Sequence, residues 1–279
     1  MNGEQVAVVT GASSGIGRWI ALGLARAGWR TVLVVRDAAR GEAARRWIAA
    51  RVPGAATELV LADLSLLAQA RAAAARIASE QPRIGILVNN AGVFSQRRQV
   101  TTEGHELILA VNHLAPFVLT RGLLEPLRGG APARIVNIGS AASDNARLDL
   151  EDLEGARNWN GLRAYGQSKL ALMMATFAWA ERLGGSAITA NVVHPGVVAT
   201  NIARVPGLIG VVWTLGMPFM LRPAKGADTP LHIALAPELA GVTGQYFKRR
   251  RSAEPNPLAR DQALIERLWT ETERLAGPA

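Results

Sequence analysis

The chain of 279 residues contains no cysteine, which excludes a disulfide framework, thiolate zinc sites, iron–sulfur ligation and cysteine nucleophiles. Four histidines are too few to favour a histidine-built site, so no metal is expected. Lysine is as scarce: Lys169, Lys225 and Lys248 stand among 31 basic residues, and the rest are arginine. No long apolar run is present either. The uncharged, mostly apolar stretch 205–221 is interrupted by Pro206, Pro218 and three glycines, whereas a bilayer span needs about 20 regular apolar residues. The N-terminus lacks the basic segment, apolar stretch and cleavage site of a signal peptide. A cytoplasmic location is the expectation.

What remains is an ordinary globular composition, 49% apolar and 19% charged, in a chain long enough to bury a core without disulfides or metals. A net charge of +9 has the look of a nucleic-acid binder. The arginines are scattered, however, and the only dense cluster is Lys248-Arg249-Arg250-Arg251. The charge therefore reads as a solvated surface, with no nucleic-acid partner and at most peripheral attraction to anionic ligands or membranes.

Short β-rich runs at 6–10, 31–35, 58–61, 84–89, 134–138 and 187–193 alternate with helical patterns at 16–27, 38–51, 66–79, 106–127, 164–182 and 257–275. Continuous apolar strands between helices predict an α/β fold: one doubly wound Rossmann-type domain over 1–279, its central parallel sheet flanked by helices.

The first strand runs into Thr10-Gly11-Ala12-Ser13-Ser14-Gly15-Ile16-Gly17, and a helix starts at once. Glycines let the backbone turn and approach a ligand, and the helix N-terminus offers free N–H groups to a pyrophosphate. The spacing is G-x3-G-x-G, not the usual dinucleotide pattern G-x-G-x-x-G. Strand–turn–helix context favours phosphate binding by Gly11, Ser13, Ser14, Gly15, Ile16 and Gly17 over a merely structural turn. An NAD-selective acid belongs about 20 residues further on, where Val35 and Arg36 stand instead. Arg36 suits a 2′-phosphate, and Asp37 suits the N-cap of the next helix. NADP(H) is favoured over NAD(H).

Tyr165 and Lys169 lie one helical turn apart. A phenol with a pKa near 10 is a poor acid–base group at neutral pH, and a neighbouring ammonium lowers it. A surface Tyr–Lys pair is the plain alternative, but only two tyrosines and three lysines occur in the whole chain.

Together with Asn89-Asn90-Ala91-Gly92, Ile138-Gly139-Ser140 and His194-Pro195-Gly196, these motifs resemble the short-chain dehydrogenase/reductase family along essentially the whole chain. Arg36-Asp37, Val111-Asn112-His113-Leu114, His194-Pro195-Gly196-Val197-Val198-Ala199-Thr200 and Gly244-Gln245-Tyr246-Phe247 resemble its retinol-dehydrogenase-like branch, as does the long step from Ser140 to Tyr165. The resemblance implies a four-residue site: Tyr165 exchanges a proton with the substrate oxygen and Lys169 lowers its pKa and holds the nicotinamide ribose. Ser140 polarises the substrate oxygen, and Asn112 keeps a water in the proton relay through a bent local backbone. Ser143 is the weaker candidate for the serine. The resemblance further implies that Asp63 and Leu64 meet the adenine, that Asn89, Ala91 and Gly92 line the adenosine ribose, and that Pro195, Gly196, Val198 and Thr200 surround the nicotinamide. His113 and His194 are expected in the core or a loop, and His105 and His232 on a surface or helix.

The apolar segment at about 201–222 departs from the regular pattern. In the family this stretch forms a lid, and an apolar lid suggests a lipophilic substrate; core, subunit interface and shallow membrane contact are the alternatives. The expected activity is NADP(H)-dependent interconversion of a carbonyl (aldehyde or ketone) and an alcohol. A non-catalytic NADP-binding sensor or scaffold and a reductase of an activated double bond are the competing readings. A homo-oligomer is left open, since many relatives pair through the helices at 106–127 and 164–182.

Overall fold

The computed structural model describes residues 5–198 and 221–278. Among them, eight strands form one sheet in the order β3-β2-β1-β4-β5-β6-β7-β8. These are β1 (Val6–Thr10), β2 (Arg30–Val35), β3 (Thr57–Leu61), β4 (Ile86–Asn89), β5 (Ala133–Ile138), β6 (Ile188–His194), β7 (Tyr246–Lys248) and β8 (Arg251–Ala253). All neighbours pair in parallel except β7 and β8. The sequence reading finds the first six strands and misses the last two, which are only three residues long.

Side chains alternate across each strand. Val6 and Val8 of β1 enter one core, Ala7 and Val9 the other. The second core is closed by α1 (Gly15–Arg26), α2 (Ala38–Ala49) and α9 (Asp228–Leu235), the last following the short α8 (Pro223–Gly226). The first core is closed by α3 (Leu67–Glu80), α5 (Ala115–Gly122), α7 (Gly161–Arg182) and the C-terminal helix α10 (Gln262–Ala276). The expected three-layer α/β/α arrangement results, with every β1 residue buried on both faces.

The single helix expected at 106–127 is broken. A short α4 (Leu107–Leu109) leads into a π-helical turn at Ala110–Leu114, then α5, and after Leu123 a separate α6 (Leu124–Gly129). Pro116 explains much of this. It has no N–H for the carbonyl four residues back, and its ring would clash there in a regular helix; the wider turn, with Ala115 N–H bonded to the Ala110 carbonyl, accommodates it. The helix expected at 257–275 likewise starts later, because Pro257–Arg260 is a 3-10 turn and Asp261 caps α10 by accepting from Leu264 N.

The basic cluster does not form one face. Lys248 ends β7 and pairs with Asp144 at 2.6 Å, while Arg250 pairs with Asp228. Arg249 and Arg250 form the two-residue hairpin turn with φ of 48° and 62°, a conformation ordinarily given to Asn or Gly.

Candidate active site

The chain runs β1, β2, β3 outward and then returns to place β4 on the other side of β1. Loops that leave the C-terminal ends of β1 and β4 therefore diverge and open a crevice, the usual ligand position in such sheets. Gly11 and Gly15 have φ of 66° and 56°. A Cβ on Gly11 would sit 2.9 Å from the Ala91 Cα, and one on Gly17 would sit 2.5 Å from the Gly11 carbonyl oxygen, so only glycine lets these turns close on each other. Ser14 begins α1 without a side-chain cap, and no acid lies in the first turn. The N-terminal N–H groups are thus free of a competing carboxylate, which suits a pyrophosphate.

Asn90, not singled out from the sequence, clamps this loop. Its Nδ2 donates to the Thr10 carbonyl at 2.8 Å, and Thr10 Oγ1 accepts from the N–H groups of Asn90 and Ala91, both at 2.9 Å. Asn89 faces the other way. Its side chain is buried, donating to Asn137 Oδ1 at 2.8 Å and to Thr120 Oγ1 at 3.2 Å, which leaves only its main chain toward the crevice. Ala91 and Gly92 are half-buried in the loop that follows.

At the end of β2, Arg36 is exposed. Asp37 caps α2, its Oδ1 accepting from Arg40 N at 2.8 Å. Arg40 reaches back to the phosphate loop, with Nη2 3.4 Å from Ser14 Oγ. Sequence reasoning missed it, although it stands one helical turn beyond Arg36. Asp63 is half-buried after β3, its Oδ1 accepting from the N–H and hydroxyl of Ser65; Leu64 is buried in the core.

Three of the four expected catalytic residues, Ser140, Tyr165 and Lys169, meet at the C-terminal edge of β5. Ser140 leaves β5 as the cap of a short turn, its Oγ accepting from Ala142 N at 3.2 Å. Its hydroxyl is close enough to the Tyr165 phenol to hold the phenol's pKa down. Lys169, one turn along α7, is buried and donates to the Ile138 carbonyl at 2.8 Å; burial lowers its pKa to about 8. Ser143 is fully buried and donates to the Ser140 carbonyl at 2.6 Å, a supporting contact.

Burial pushes the Tyr165 phenol above its ordinary pKa and the neighbouring Ser140 hydroxyl opposes that; the Lys169 ammonium donates to the Ile138 carbonyl and lies 6.0 Å from the ring centroid.

Asn112 sits in the π-helical turn. Its Oδ1 accepts from Val93 N at 2.8 Å, and its Nδ2 donates to the Val93 carbonyl at 3.0 Å and to Ser168 Oγ at 3.1 Å. Ser168 in turn donates to the Tyr165 carbonyl. The side chain thereby joins the loop after β4 to α7. Pro116 lies four residues later, so the Asn112 carbonyl has no ordinary helical donor. This proline within an expected helix was the sequence signal for the bend. Phe94, also missed, packs edge-on against Tyr165 with centroids 5.8 Å apart and gives the site an apolar wall.

Beyond β6, His194 Nδ1 accepts from Ala141 N at 3.1 Å, and burial lowers its pKa. Pro195 and Gly196 follow, the latter with φ of 91°. Val198 is buried against Ile16 and Gly226, where a Cβ on Gly226 would meet it at 2.6 Å. Leu221 N donates to the Val197 carbonyl at 2.9 Å. Thr200 and all of the apolar segment except Leu221 and Arg222 lie outside the described residues. His105 is half-buried against Glu154 at 2.9 Å and His232 lies on α9, while His113 is in the core.

The sequence pattern of the family described as short chain dehydrogenase matches residues 5–206. The chain belongs to that family. Retinol dehydrogenase 12 of Mus musculus is 40% identical over 273 residues, covering 98% of this chain and 86% of that protein. Retinol dehydrogenase 13 of Homo sapiens is 39% identical over 280 residues, covering 98% and 85%. This short-chain dehydrogenase thus falls in the retinol-dehydrogenase-like branch and acts as an oxidoreductase on alcohol or carbonyl groups. Solved structures agree on the fold. A protein from Mycobacterium paratuberculosis superposes with a TM-score of 0.76 at 29% identity, covering 98% of this chain and 93% of that one. A metagenomic blue fluorescent protein in complex with NADPH gives 0.69 at 29% identity, covering 87% and 95%. Among the described residues of this short-chain dehydrogenase, no helix is long and apolar enough to cross a membrane, and no three His, Asp or Glu side chains are grouped to hold a metal.

Proposed function

We propose that this short-chain dehydrogenase uses NADP(H) to interconvert a lipophilic aldehyde or ketone and its alcohol, with Tyr165 as proton donor in reduction and acceptor in oxidation. The observation that carries the reading is the Ser140 hydroxyl beside the Tyr165 phenol, with Lys169 one turn along the same helix and Asn112 tied to it through Ser168. Two neighbouring hydroxyl groups can both donate to one substrate oxygen. Phe94 beside Tyr165 supports an apolar substrate, as do relatives named for retinol, a lipophilic alcohol.

The crevice fits a dinucleotide: uncapped N–H groups at α1, glycines packed so tightly that no side chain intervenes, and Arg40 beside Ser14. When bound there, the nicotinamide supplies or takes the hydride. Gly11, Ser13, Ser14, Gly15, Ile16 and Gly17 hold the pyrophosphate, and Arg36 with Arg40 favours a 2′-phosphate because Asp37 is engaged as a helix cap. Asp63 and Leu64 border the adenine. The Asn89 main chain, Ala91 and Gly92 border the adenosine ribose, and Pro195, Gly196, Val198 and Thr200 the nicotinamide.

In reduction Tyr165 gives its proton to the substrate oxygen while Ser140 holds that oxygen. The phenolate left behind takes a proton back from solvent by way of Lys169, one turn along α7, and a water held on the Asn112 carbonyl. NADPH oxidation at 340 nm with lipophilic aldehydes and ketones tests the reading, with NADH in parallel. Tyr165→Phe should abolish turnover while keeping NADPH affinity. Survival of turnover in that variant would remove Tyr165 from its role, and a preference for NADH would remove Arg36 and Arg40 from theirs.

A further inference from the structure

Adjacent residues of a helix point about 100° apart, so Asn112 and His113 leave the π-helical turn in different directions. Asn112 faces the loop after β4 and α7. His113 faces the C-terminal helix α10, where its Nε2 lies 2.8 Å from Thr272 Oγ1. The proton on that bond can be assigned. Thr272 Oγ1 already donates to the Leu268 carbonyl at 2.7 Å, and a hydroxyl has one proton. Thr272 therefore accepts, and the imidazole donates from Nε2. Both side chains are fully buried.

Thr272 is itself held in place. Trp269, one turn before it, packs edge-on against Trp179 of α7 at 4.8 Å and Phe117 of α5 at 4.9 Å. At the far end of α10, Arg71 donates to the Ala276 carbonyl at 2.7 Å and Arg121 to the Gly277 carbonyl at 2.8 Å. Nearer its start, Arg182 meets Glu266 at 2.7 Å. The helix is a fixed anchor.

A π-helical turn carries one residue more than the α-helix around it, is rare, and is frequently found at functional sites. Relaxing it to α-helical geometry would shift the register by one residue and swing Asn112 away from Ser168 and Val93. We propose that the His113–Thr272 hydrogen bond is a positioning device: the C-terminal helix grips the outer side of the turn as Asn112 grips the inner side, and so keeps the Asn112 carbonyl in the proton relay. This rests on the proposed oxidoreductase role of Asn112, and it assigns His113 and Thr272 no contact with substrate or cofactor.

Thr272→Val in the full chain keeps the shape and removes the acceptor, while Thr272→Ser keeps it. In Thr272→Val, kcat for a lipophilic aldehyde with NADPH should fall by about tenfold to a hundredfold, as small misplacements of catalytic groups do. Both KM values should stay within about twofold, because the lost interaction acts after binding. Thr272→Ser should restore kcat. Amide exchange should speed up in Thr272→Val in peptides covering 107–119 and not in those covering β1. An unchanged kcat, an equal loss in Thr272→Ser, or faster exchange everywhere would each overturn the proposal. If the unmutated chain turns over no carbonyl, the functional reading fails on its own, and local exchange alone decides whether the grip exists.

Discussion

Asp37 shows how a single residue changes meaning with its surroundings. It lies within a residue of where an acid would select NAD, yet its carboxylate accepts from the N–H of Arg40 and is engaged as the cap of α2. The same helix turn brings Arg40 beside Ser14. Charge-assisted hydrogen bonds contribute about 1.5–3 kcal/mol each, so Arg36→Ala and Arg40→Ala should each raise the KM for NADPH by roughly tenfold to a hundredfold. The KM for NADH should hardly change, and parallel titrations of the two cofactors check this. Asp37 was legible from its place before an apolar-periodic segment. Strand alternation sends Asn89 and Asn90 to opposite sides, but which of them meets the glycine loop is set by the packing around β4 and was not legible.

At the scale of elements, the strands were legible because each is a continuous apolar run, and the long helices because their patterns are long. The bend at 110–114 was foreshadowed by Pro116, but its π-helical form depends on contacts from α7, the loop after β4 and α10. α10 lies across α5 and α7, so part of their surface is covered by the chain itself. Trp269 is its main apolar anchor. Trp269→Ala should destabilise the fold by about 3–5 kcal/mol, the usual cost of emptying a large aromatic site in a core. Urea unfolding measures it, and a loss below about 1 kcal/mol would mean that α10 is only loosely docked.

For the whole molecule, the buried imidazole of His113 sets a pH dependence of stability. Burial lowers its pKa from 6.5 to about 4. Above pH 6.5 it is neutral in both folded and unfolded chains and has no effect. Between 6.5 and 4 the unfolded chain takes up the proton and the folded one resists, so stability falls as the pH drops, by about 3 kcal/mol over that range. The urea midpoint should therefore drop from pH 7 to pH 4.5, and His113→Gln, which keeps a donor toward Thr272, should flatten that drop. An identical pH slope in the variant would show that other groups dominate acid unfolding.

Local chemistry by itself determined the α/β class, the first six strands, the glycine turn and the presence of Ser140, Tyr165 and Lys169, because hydrophobic period, glycine conformation and side-chain type are properties of short segments. It also determined the Asp37 cap. Only the tertiary structure decided which way Asn89 and Asn90 face, that Arg40 joins Ser14, that Phe94 walls Tyr165, and that Lys169 turns to the Ile138 carbonyl. It alone brought Thr272 to His113 across most of the chain, since packing of distant helices is what selects among the contacts that local patterns allow.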